Sequence, residues 1–309
     1  MKTQRSFIDV LLKKPYLFRR IMSLSIGECE LLTKKLEQEW KIREQGRISQ
    51  AHSNRINKPG QGRPYELGTF FNLLLATILY MRTSMGYELL GLLLGVDKTT
   101  VKRIVSRVIP LLQDRFIPKT HITKRKRRTN DLDELLKDYP ELEDVLMDAT
   151  ELSIKRPKKR QKQSYSGKKK KHTKKITIAT NKKDNLIIGV SPPAKGRMHD
   201  KKQLEHTGWD TKLPDTIKRM GDLGYQGMPK DTWNIPHKKP KNQTLTRSQK
   251  RANTKLSKER IAVEHSIRGV KIFRRIGETI TLKTDQSLTT TFLAAVNLYN
   301  FKRLVRQGI

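Results

Sequence analysis

The chain has 309 residues, with 66 Lys and Arg against 30 Asp and Glu, a formal net charge of +36, only 35% hydrophobic residues and 6% aromatics. Such an excess implies a partner of dense negative charge, nucleic acid before a membrane surface, and the longest apolar stretch, 70–81, is too short for a bilayer and contains Asn72. The single Cys29 excludes an intrachain disulfide and a multi-cysteine zinc site, and the first twenty residues lack the apolar segment of a secretion signal, so a cytoplasmic setting is expected.

In chain order, residues 1–64 read as a helical, charged lead-in and a basic linker. Ser23 is a candidate cap for helix formers reaching Trp40, and 54–64 is rich in turn residues and basic. Residues 65–117 form the most apolar block, with helices predicted at 66–81, 84–96 and 99–116. Gly95 is suited to ending the second, and Asp97 or Thr99 to capping the third. The third has Val101, Ile104, Val105 and Val108 on one face and presents Thr100, Lys102, Arg103 and Arg107 elsewhere. A short turn followed by such a helix predicts an all-α helix-turn-helix domain. An ordinary helical hairpin is the alternative that pattern alone leaves open. Residues 118–144 join a basic run, 124–128, to an acidic stretch and read as a charged linker.

From 145 to 309 short apolar runs alternate with polar segments. Strands are predicted at 145–148, 175–179, 186–191, 217–221 and 233–236, and helices at 201–206, 246–271 and 287–305. This order suggests an α/β mixed sheet with flanking helices. Three carboxylates stand in buriable contexts: Asp148 closes the first strand, Asp222 follows the fourth, and Glu264 lies in the long helix. A buried carboxylate is costly unless something cationic compensates it. A pair of divalent ions about 3.5–4 Å apart is one such compensation in phosphoryl-transfer nucleases, and Mg²⁺ requires oxygen ligands. A ribonuclease H-like sheet would set the first and fourth strands side by side.

Each acid also has a plainer reading. Glu264 could pair with Arg260 and Arg268 at i, i+4 spacing. Asp200, after His199, rivals Asp222 as the second acid, or simply caps the helix at 201–206. The stretch 155–175 holds twelve Lys and Arg and no acid. Such a run is usually a solvated face, but next to the first strand it could hold phosphates in a sequence-independent, salt-sensitive way.

These segments resemble the DDE endonuclease domain of bacterial insertion-sequence transposases, in the group related to eukaryotic Harbinger elements. The motifs that carry the resemblance are Met147-Asp-Ala-Thr-Glu151, Tyr165-Ser-Gly-Lys-Lys-Lys-Lys-His-Thr-Lys174, Gly196-Arg-Met-His-Asp200, Gly221-Asp-Leu-Gly-Tyr-Gln-Gly227 and Arg260-Ile-Ala-Val-Glu264 with Lys271. Residues 65–117 resemble the helix-turn-helix that precedes this domain. Ala149 stands where glycine is frequent in the first motif. The resemblance implies a ribonuclease H-like fold over 145–309 and cleavage and joining of DNA strands at an element's terminal repeats. It implies two Mg²⁺ ions, replaceable by Mn²⁺, held by Asp148, Asp222 and Glu264. Tyr165, Lys168, Lys169, Lys170, Lys171, His172, Arg260 and Lys271 would then contact DNA, with His199 and Asp200 as supporting contacts. A homodimer or larger assembly on double-stranded DNA, within a bacterial nucleoid, is expected. A domesticated relative without catalysis, or a basic RNA-binding protein, are the alternative readings.

Overall fold

The computed structural model describes residues 7–50, 66–113, 145–207, 217–281 and 284–308. The linkers expected at 54–64 and 118–144 lie outside the described residues. Two compact units form, one of Met1–Arg115 with Phe273–Arg275 and Leu304–Ile309, the other of Phe116–Ile272 with Ile276–Arg303. Among the described residues no helix is long and apolar enough to cross a membrane.

The first unit is helical: α1 (Phe7–Leu12), α2 (Pro15–Met22), α3 (Ile26–Gln50), α4 (Phe70–Thr83), α5 (Tyr87–Leu94) and α6 (Lys98–Val108). Ser23 ends α2 in the left-handed region instead of opening α3. The cap is Ser25, whose Oγ accepts from Glu28 N at 3.1 Å while Glu28 accepts from Ser25 N at 2.6 Å. That reciprocal pair satisfies two amides that the first turn would leave orphaned. Thr69 caps α4 and Gly95, at φ 71°, closes α5. Of the two candidate caps for α6 it is Asp97 that serves, accepting from Thr99 N at 2.8 Å.

Helix α6 stops at Val108 and tightens into a 3-10 turn, Ile109–Leu112, short of the predicted end at 116. Pro110 lacks the N–H that the next α-helical bond needs. The apolar face behaves as its spacing requires, with Val101, Ile104, Val105 and Val108 all buried.

The second unit is a mixed sheet with helices: β1 (Val145–Ser153), β2 (Tyr165–Ser166), β3 (Lys171–Asn181), β4 (Ile187–Val190), β5 (Ala194–Lys195), α7 (Asp200–Thr207), β6 (Arg219–Met220), β7 (Trp233–Asn234), α8 (Arg247–Lys271) and α9 (Asp285–Arg306). Strand β3 is antiparallel to β1 on one side and to β4 on the other. β1 is parallel to β6, and β6 to β7. The order across the sheet is therefore β4-β3-β1-β6-β7, with β2 and β5 pairing near the start of β3.

Alternation along β1 decides which side each residue serves. Val145 and Met147 pack with Leu204 of α7, Tyr225 and Trp233. Leu146 points the other way, to Met220 and to Leu256 and Val263 of α8. Asp148 is in phase with Leu146, so it too faces α8. The edge strand β4 is held by α9, where Asn300 accepts from Ile187 N at 2.9 Å and donates to Ile187 O at 2.8 Å.

Candidate active site and its family

Asp148 is the fourth of nine residues in β1, not its last, because β3 continues the ladder as far as Ser153↔Thr173. Its carboxylate accepts from Ala149 N at 2.9 Å and stands 3.8 Å from the Arg260 guanidinium. Asp222 lies two residues beyond β6, the parallel neighbour of β1. There it caps a 3-10 turn, Leu223–Tyr225, by accepting from Gly224 N at 2.8 Å. Parallel pairing thus delivers the two aspartates to the same region of the sheet from positions 74 residues apart.

Another carboxylate, Asp200, lies beside Asp222. A Cβ on Gly224 would collide with Asp200 and lie 2.8 Å from Asp222 Oδ1, so only glycine permits both acids to close on that turn. Asp200 is the first residue of α7, whose opening bond runs from Gln203 N to His199 O at 2.9 Å. Its carboxylate is not spent on capping that helix. Lys175, buried in β3, donates to Asp200 at 2.6 Å and to Met198 O at 2.7 Å.

The electrostatics follow from this crowding. Burial foremost, then Asp222 and Asp200, push Asp148 from 3.8 up to about 6, against the pull of Arg260 and the Ala149 amide. Burial also raises the Tyr225 phenol well above its ordinary range, with Asp200, Asp148 and Asp222 adding to it. Burial, more than net charge, thus makes the ionised form of Asp148 costly, and Arg260 and the Ala149 amide offset that cost only in part.

Glu264 sits on α8 one turn beyond Arg260 and is exposed. The plainer alternative, an i, i+4 pairing with Arg260, does not form: Arg260 turns to Asp148 instead. Among the described residues no cluster of three His, Cys, Asp or Glu side chains is gathered as a metal cage. Two partly buried aspartates supplying hard oxygens do fit Mg²⁺, which commonly takes one or two carboxylates and completes its shell with water and phosphate.

Basic groups reach the same edge. Lys271, the last residue of α8, donates to Glu151 O at 3.1 Å. Burial and the nearby Lys169 lower its pKa, while Glu151 and Asp148 oppose that shift. Lys168, Lys169, Lys170 and Lys171 are exposed in the β2–β3 hairpin, whose turn is fastened by Lys169 N donating to Ser166 Oγ at 3.1 Å. Tyr165 stands edge-on to His172 at 5.6 Å, and His172 Nδ1 is 2.9 Å from Ser164 Oγ. His199 is exposed.

On α6, Lys102 and Arg103 are exposed and Thr100 is half-buried. Arg107 is less free than its sequence position suggests, since it lies 3.9 Å from Glu44 of α3. Sequence reasoning missed Lys175. Its one signal is a lysine at the head of the apolar run Ile176-Thr-Ile-Ala179.

The chain is similar to known proteins in both units. The family described as DDE superfamily endonuclease matches residues 147–300, and the helix-turn-helix of DDE superfamily endonuclease matches 65–118. Over 228 residues, 73% of this chain and 77% of the other, it is 35% identical to the probable transposase for insertion sequence element IS702 of Microchaete diplosiphon. The chain belongs to the DDE transposases of insertion sequences. Endonucleases of this superfamily generally work with divalent metals.

Proposed function

We propose that this transposase cuts DNA at the ends of its element and joins the freed 3′-hydroxyl to target DNA. Asp148 and Asp222 would hold two divalent ions, and Glu264 would help to hold one of them. Bound ions of this kind activate the attacking oxygen and stabilise the leaving one. The observation that carries the reading is the parallel pairing of β1 with β6, which gives the two aspartates a common edge. The strand order β4-β3-β1-β6-β7 supports a ribonuclease H-like catalytic domain over 145–309.

The protein's own groups have separable tasks in this reading. Arg260 neutralises Asp148 and, with Lys271, holds a phosphate oxygen once DNA arrives. Tyr165, the Lys168–Lys171 hairpin and His172 grip the backbone beside the cut. Asp200, neutralised by Lys175, steadies the Gly224 turn under Asp222 and is no ligand itself, and His199 approaches the DNA at the same turn. Helix α6, within a domain of 65–117, reads the element's ends through Thr100, Lys102, Arg103 and Arg107 in a major groove. Two ends must be handled together, so the complex on double-stranded DNA holds at least two copies.

The test is cleavage of a duplex carrying the element's own ends with Mg²⁺ or Mn²⁺. Cutting by the wild type that Asp148→Asn abolishes supports the assignment. Absence of cutting with either ion, or cutting that survives the substitution, refutes it.

A further inference from the structure

A second concentration of positive charge lies past the far end of β1. A cavity of about 810 Å³ opens between the segment 154–160, Lys174 of β3, Lys195 of β5 and the start of α9. Its walls are built, not loose. Ile154 forms a parallel bridge with Ile280, and Ile280 N donates to Ser153 O at 2.7 Å. Arg156 Nε donates to Gln161 Oε1 at 2.9 Å, and Arg160 is held at φ 53°, a strained setting for a side chain of its size.

Five cations between Lys155 and Arg160 line this cavity, together with Lys174 and Lys195. Lys174 and Lys195 stand directly opposite one another in the β3–β5 register. Like charges in that relation destabilise a sheet. Asp285 is the one acid among the described lining residues, and it engages Lys174 alone, at 3.0 Å and with 58% of its side chain exposed. A concave surface of one sign focuses its field and gathers counter-ions. The fold thus sustains a charge that its own residues leave unanswered.

We infer that this cavity is a second phosphate-backbone site, which holds DNA away from the catalytic edge and from which Asp285 is displaced when DNA binds. Ile154 is six residues beyond Asp148, about 20 Å along an extended strand. At about 3.4 Å per nucleotide of one strand, the phosphates held here are roughly six nucleotides from the one that is cut. This distance rests on the proposed catalytic role of Asp148; the existence of the site does not.

The experiment measures duplex binding by the full chain against salt concentration, without divalent metal. Lys155→Gln/Lys158→Gln/Lys159→Gln should flatten the slope of log K against log salt by roughly 0.9 for each phosphate no longer neutralised, about 2–3 in all. The matching Lys→Arg triple should keep the wild-type slope, and all three lysines are exposed, so folding is not at stake. Asp285→Asn should bind on the order of threefold tighter at low salt, the scale of one exposed ion pair. A neutral methylphosphonate placed about six nucleotides from the cleavage site should weaken the wild type and leave the Gln triple unaffected.

An unchanged slope in the Gln triple overturns the site. Inorganic tripolyphosphate binding that depends on these lysines while the DNA slope does not would assign the cavity to free polyphosphate, and overturns it equally. Interference at another distance overturns the placement. Because the salt-slope and tripolyphosphate readings need no cleavage, a wild type that never cuts would sink the proposed function and the six-nucleotide placement but leave the site itself standing.

Discussion

Asp148→Asn should make the protein more stable at neutral pH while removing its activity. The carboxyl group ionises at about 6 in the fold against an ordinary 3.8, with burial the largest cause. A carboxylate whose pKa is raised by folding binds more protons folded than unfolded across that interval, so stability falls as pH rises from about 4 to about 6. Two units at 1.36 kcal/mol each amount to about 3 kcal/mol lost by pH 7, and asparagine, uncharged and of the same shape, does not lose it. For a unit of this size that corresponds to a Tm higher by about 5–10 °C. Thermal unfolding of wild type and variant in chelator at pH 8 would show the gap, and at pH 3.5 it should close. Added Mg²⁺ should raise the Tm of the wild type and shift the variant much less, since a ligand that binds only the folded state stabilises it by mass action. Equal Tm values at pH 8, or a gap that does not depend on pH, would refute the reasoning.

Asp222→Asn and Glu264→Gln should each abolish strand cleavage and leave duplex affinity nearly intact; wild-type rates in either would remove that residue from the set. Replacing Lys168, Lys169, Lys170 and Lys171 with Gln should weaken binding to every sequence and flatten the salt slope by roughly one unit for each phosphate released, whereas an unchanged slope would make the hairpin a solvated face. Lys102→Ala/Arg103→Ala should lose about 1–3 kcal/mol of preference per base contact for the element's ends while metal-dependent nicking of unrelated DNA persists, and an equal loss on all sequences would leave α6 as a phosphate clamp. Lys175→Met should raise the pH needed for half-maximal cleavage, because Asp200 and its neighbours would lose a buried counter-charge, and a pH profile identical to wild type would confine Lys175 to packing.

The elements are readable from sequence where local chemistry alone decides them. Helix α6 shows this well: Asp97, Gly95 and the Val101-Ile104-Val105-Val108 stripe act within one turn of themselves, and all sit as their spacing requires. Strand β1 reads as ending at Asp148 because polarity begins there. Its extension to Ser153 is dictated by hydrogen bonds to β3, and a ladder is indifferent to what its side chains carry. The two-residue strands β2 and β5 exist only as partners for β3, so nothing local marks them.

The site is legible as a set of residue types and opaque as a set of pairings. Glu264 is the case in point. Spacing on α8 offers it Arg260 at i−4, a contact worth about 0.2–0.5 kcal/mol when it forms in an isolated helix. Arg260 instead faces an aspartate that alternation along β1 turns toward the same helix, and a partly buried carboxylate gains more from a cation than an exposed one does. The competition is between a local partner and a distant one 112 residues earlier in the chain. The same holds for Lys175, which leaves its strand to reach Asp200 at the start of α7, 25 residues on. Arg260 and Lys175 are thus drawn to partly buried aspartates, and the exposed Glu264 is left without an ion pair among the described residues. An uncommitted carboxylate one turn from a guanidinium that already serves Asp148 is what a binding partner arriving from solvent would find.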